Sequence, residues 1–110
     1  MAFLGVVLVW LEDTMPYISP ESREKFITSC DALAELIEAK GELNFVVSRI
    51  LHMVVQKKGM SYTNASEFMG ALTDAAMEFY RQVLAPYEDR KKKENGPVSG
   101  LDGAFFEKVT

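Results

Sequence analysis

Glu35 and Glu38 stand one helical turn apart, and Asp74 and Glu78 stand four residues apart further along the chain. Carboxylates spaced like this on two helices can hold a divalent cation such as Mg2+, which would bridge the oxygens of a bound phosphate chain. A second chemistry needs a thiol and a base, and the chain has one of each, Cys30 and His52. A third needs cations and ring faces, which Arg90-Lys91-Lys92-Lys93 with Tyr80 and Tyr87 would supply to a nucleic acid. Which of these is real depends on the elements that carry the residues.

The motif Glu35-Leu36-Ile37-Glu38 resembles the E-x-x-E of helical, magnesium-dependent nucleotide pyrophosphohydrolases. That family pairs it with E-x-x-D, and Asp74-x-x-x-Glu78 has the wrong spacing. At 100° per residue, both acidic sets fall opposite the apolar stripes of their helices, where solvated carboxylates belong. Cys30 falls within an apolar stripe and His52 on the more polar side of its helix, so the two make a poor nucleophile and base pair. Glu88, Asp89 and Glu94 flank the basic run and cancel most of its field. A net charge of −4 gives no global support for phosphate binding.

The elements read clearly in outline. Ser19-Pro20-Glu21 combines an N-cap, a first-turn proline and an acid at the positive end of the helix dipole. The first helix then shows a stripe from Phe26 to Ile37 and is expected to stop at Lys40-Gly41. From Leu43 to Lys58 a broader face runs through Val46, Val47, Ile50, Leu51 and Val54. That face predicts the most buried helix, closed by Lys57-Lys58-Gly59. Asn64 with Glu67 reads as a capping box opening a third helix, whose stripe includes Phe68, Leu72, Phe79 and Tyr80. Gly70 within it suggests a close helix crossing. Pro86 must kink this helix or restart it, and the pairs Glu88/Lys92 and Asp89/Lys93 support helix from there to Asn95-Gly96.

The ends differ from this core. Ala2 to Leu11 is apolar but about half the ~20 residues needed to span a bilayer as a helix, and it lacks the basic region of an export signal. Pro97 to Gly103 reads as loop, and Ala104 to Thr110 is too short to stand alone as a helix. One cysteine allows no internal disulfide, which fits a cytoplasmic setting. Residues 1–42 hold eight acids and three bases, whereas residues 43–110 hold eight acids and nine bases. Two halves of opposite leaning can attract each other between copies.

Met15-Pro16-Tyr17-Ile18, Gly41-Glu42-Leu43-Asn44-Phe45, Glu78-Phe79-Tyr80-Arg81, Pro86-Tyr87-Glu88-Asp89 and Glu94-Asn95-Gly96 follow in this order. Together they resemble a family of short, uncharacterised proteins from bacteriophages and bacteria. The resemblance implies a core of residues 15–96, an extension at residues 1–14 and a flexible tail at residues 97–110. The sequence departs from the family at Gln82, often a second arginine, and at Pro97, usually an acid. No activity comes with the resemblance, but its motifs and the polar groups beside helix breaks nominate Glu42, Asn44, Arg81, Tyr87, Glu88 and Asp89 as binding residues.

The resulting expectation is an all-α protein, a small three-helix bundle that associates as a homodimer. It serves as a cytoplasmic interaction or regulatory module without catalysis and without a membrane partner. The first alternative is a pyrophosphohydrolase-like enzyme using Mg2+ at Glu35, Glu38, Asp74 and Glu78. The second is a nucleic-acid-binding accessory protein.

Overall fold

The computed structural model describes residues 15–103, so the apolar run before Met15 and the residues after Gly103, including Phe105 and Phe106, lie outside the described residues. The described chain is all-α. Its elements are α1 (Pro20–Leu36), α2 (Lys40–Lys58), α3 (Tyr62–Phe79), a π-helical segment (Tyr80–Leu84) and α4 (Ala85–Asn95). The chain divides into two units, Met1–Ala75 and Ala76–Thr110.

In the first unit, α1 begins as its sequence dictates. Ser19 is extended, and its hydroxyl accepts from the Ser22 amide at 3.3 Å, while Pro20 opens the helix. The helix ends earlier than expected, at Leu36, with Ile37 extended at φ −82° and ψ 119°. Lys40 and Gly41 are not its stop but the start of α2. The reason lies in Glu42, whose Oε1 reaches back to accept from the Glu38 and Ala39 amides at 2.8 and 3.0 Å. An acid at the third helical position thus satisfies the amides of the N-cap residue and of the residue before it, the N3 half of a capping box.

Gly59 ends α2 as predicted. It has φ +105°, and its amide donates to the Val55 carbonyl at 2.9 Å. The start of α3 is corrected by three residues. Ser61, not Asn64, caps it, its hydroxyl accepting from the Asn64 amide at 3.0 Å. The Asn64 side chain turns the other way and donates to the Gly59 carbonyl at 2.8 Å. One residue therefore closes α2 while standing in the first turn of α3.

The second unit holds the expected break at Pro86, and the α-helix restarts there: Pro86 stands in the first turn of α4, which follows the π-helical segment with no side-chain cap. Proline offers no N–H to the Gln82 carbonyl, and its ring crowds that carbonyl. The chain answers with a wider turn in which the Ala85 amide donates to the Tyr80 carbonyl, five residues back. Backbone angles stay helical through it, at φ −61° and ψ −43° for Phe79 and φ −61° and ψ −46° for Ala85. α4 ends as read, at Gly96 with φ +90° and its amide on the Lys92 carbonyl at 2.8 Å.

Residues 97–103 correct the loop expectation. Ser99-Gly100-Leu101-Asp102 is a capping box: the Ser99 hydroxyl accepts from Leu101 at 3.2 Å and Asp102 accepts from the Ser99 amide at 2.8 Å. The chain is helical at 100–103. A Cβ on Gly103 would lie 3.1 Å from Cγ of Pro97, so the proline ring and this turn are in close contact.

Among the described residues none is buried. The expectation that the stripes share one interior within the chain is therefore corrected. On α2, Val46, Val47, Leu51, Val54 and Val55 are partly buried, while Leu43, Ile50 and Met53 on the same broad face remain exposed. Phe79 and Tyr80, expected as core anchors, are 58 % and 47 % exposed. Cys30 is also exposed, and a Cβ on Gly70 would meet nothing, so among the described residues no helix crosses closely there. A 3.6-residue period fixes which face is apolar, not which surface covers it.

Candidate functional site

The polar residues around the π-helical segment form the densest side-chain network. Two turns of α-helix take about 7.2 residues, so the eighth residue overshoots by about 80°. A turn that absorbs one extra residue removes that overshoot. Tyr80 and Glu88, eight apart, are thereby brought into line, and the Tyr80 hydroxyl donates to Glu88 Oε2 at 2.8 Å. This bond, followed by the negative charge of Glu88, holds the Tyr80 phenol above its ordinary pKa of 10.0.

Glu78 accepts a fork from Arg81, through Nε at 3.2 Å and through Nη2, and a third bond from Gln82 at 3.2 Å. Tyr87 carries the Arg90 guanidinium 5.6 Å and the Lys91 ammonium 5.7 Å from its ring centroid. The expected pairs Glu88/Lys92 and Asp89/Lys93 are replaced. Glu88 is taken by Tyr80, while Lys92 donates to the Asp102 carbonyl at 2.8 Å and lies 3.6 Å from its carboxylate. Asp102 was missed by the sequence reading, although its Ser-x-x-Asp spacing signals a cap. Bonds from the Val98 and Ser99 amides, ahead of the charge of Lys92, hold its carboxyl below the ordinary value.

The remaining nominated residues have local partners. Glu42 caps α2, and Asn44 accepts from the Ser48 hydroxyl at 3.1 Å one turn along the same helix. Asp89 lines a shallow polar hollow with Glu88, Lys91, Lys92, Gly96, Val98 and Asp102. Glu35, Glu38 and Asp74 join no ligand cluster, since no three Asp, Glu, His or Cys side chains among the described residues are grouped to hold a metal ion. His52 is exposed. The arrangement around the π-helical segment neutralises several of its charges pairwise.

A pH titration gives the first expected result. Tyr80 is raised, so its contribution is complete below the unfolded value near 10 and lost as pH rises through the folded value. Asp102 is lowered, so its contribution is present above about 3.9 and lost as pH falls through the folded value. Phenolate absorbance should show a late step that Tyr80→Phe removes. The absence of that step would show the contact to be unformed in solution.

The geometry defines a small all-α protein with a polar, tyrosine-centred helix junction and uncovered apolar helix faces. No helix among the described residues is long and apolar enough to cross a membrane. Residues 15–98 match the family model described as Domain of unknown function (DUF6899), and the chain belongs to that family. No curated protein and no solved structure matches the chain.

Proposed function

We infer that this chain is a small helical interaction module of phage type that works as a homodimer in the cytoplasm, where the helices of two copies complete the bundle that one copy leaves open. The observation that carries this reading is the exposure of its apolar stripes: Phe26, Ile27, Leu36, Leu43, Phe45, Ile50, Met53, Met69 and Phe79 all remain substantially accessible. Helix nucleation is unfavourable, and most helical stability in proteins comes from packing an amphipathic face rather than from intrinsic propensity. Covering a half-exposed large apolar side chain is worth about 1 kcal/mol. The exposed set is therefore comparable to a domain's whole stability, and folding and association are coupled. The opposite charge leanings of the two halves of the sequence favour a second copy as the covering surface.

Sedimentation velocity at micromolar concentration should show a dimer of the 12.3 kDa chain. A monomer that stays helical and unfolds cooperatively would reject the reading.

A further inference from the structure

At the α1–α2 elbow, Leu33, Leu36, Ile37, Gly41, Phe45 and Val46 line an apolar hollow of about 320 Å³. The most exposed large apolar side chain of α1 is Leu36, at 76 %, and that of α2 is Phe45, at 68 %. Both helices thus present their least covered apolar residue to one place. Its surroundings are acidic. Glu35 and Glu38 flank Leu36 and Ile37, are exposed, and enter no ion pair among the described residues. Glu42 adds its charge while capping α2, against Lys40 alone.

The second unit carries a surface of the opposite kind. Tyr87 is about half exposed and stands on α4 with Arg90 against its ring and Lys93 one turn beyond. Lys91 is paired with Glu94, and Lys92 with Asp102. Arg90 and Lys93 enter no ion pair among the described residues. Tyrosine beside arginine is the composition that dominates binding energy at protein interfaces.

We propose that the acid-rimmed elbow of one copy receives the Tyr87 face of α4 from a second copy, with Glu35 and Glu38 opposite Arg90 and Lys93. This rests on the homodimer reading and supplies its contact. In a two-fold dimer the contact occurs twice, because each copy has one elbow and one α4. Like charges placed at both contacts oppose association, and unlike charges restore it.

The test uses the full chain in two forms, Glu35→Lys/Glu38→Lys and Arg90→Glu/Lys93→Glu. Each alone should dimerise at least tenfold more weakly than the native chain. An equimolar mixture should recover native affinity, since one contact is then native and the other reversed on both sides. Native dimerisation should also weaken as salt rises from 0.1 M to 1 M, where the screening length falls from about 10 to about 3 Å. This second reading does not depend on how well the variants fold.

Variants that dimerise like the native chain, a mixture that fails to recover, or salt-independent affinity each overturn the pairing while leaving the dimer itself standing. If Arg49→Glu, a reversal on α2, weakens association as much as the α4 reversal, the partner surface lies on α2 and the pairing is likewise overturned. A native chain that is monomeric removes the dimer reading and this contact together.

Discussion

Leu36→Asp/Phe45→Asp is expected to sediment as a monomer and to lose cooperative thermal unfolding at concentrations where the native chain is dimeric. These side chains are 76 % and 68 % exposed at the elbow. Full burial of a leucine or phenylalanine side chain is worth about 1.5–3 kcal/mol, so covering what remains exposed contributes roughly 1–2 kcal/mol each. A two-fold dimer counts each twice, which gives roughly 4–8 kcal/mol, or about a thousandfold to almost a millionfold in the dissociation constant. Aspartate also adds charge where the surroundings are already acidic. Met60→Asp is the control, since Met60 is 80 % exposed in the turn between α2 and α3 and belongs to neither helix face. Retention of native dimerisation by the double variant would falsify the elbow as an interface; loss in the control would show that any added acid suffices.

Replacing Pro86 with alanine should straighten the helix register. Alanine supplies an N–H for the Gln82 carbonyl and removes the ring that crowds it, which favours an α-helix by about 3 kcal/mol. The π turn then closes into an α turn, and everything after it rotates by about 100°, the angle of one residue. Tyr80 and Glu88 separate, and their solvent-exposed hydrogen bond is lost. Pro86→Ala should therefore raise helix stability while abolishing the late phenolate step. Tyr87, Arg90 and Lys93 would turn away with α4, so dimerisation should weaken in the same variant. If Pro86→Ala keeps the late Tyr80 ionisation, the wide turn is held by something other than the proline.

The features legible in the sequence are those whose chemistry has one local solution. Ser19-Pro20 can only begin a helix, and glycines after Lys58 and Asn95 can readily adopt the positive φ that ends one. Boundaries set by a side chain reaching backwards were misplaced: Glu42 starts α2 from inside it, and Ser61 competes with Asn64 for the same role. The contact between Tyr80 and Glu88 was hidden for a geometric reason. Eight residues is a poor spacing in a regular helix, so the pair becomes a pair only after Pro86 has widened the turn. Arg81, Tyr87 and Glu88 were nominated by the family resemblance and by their place beside that break, and the structure gives each a local partner. Glu42 and Asn44 were selected by motif, and the structure gives them local hydrogen bonds. Where the apolar stripes go was not legible at all, because periodicity names a face and leaves its neighbour open.

Gly59 and Gly96 carry one more implication. Their angles, φ +105° with ψ 130° and φ +90° with ψ 162°, belong to territory that a side chain on the α-carbon makes sterically hostile. Both corners stand in open space, so nothing around them would object to a methyl group; only the main chain would. Natural variation in this family should accordingly spare these two bare positions while the bulkier neighbours drift, and an alignment read for shape should be anchored on them first.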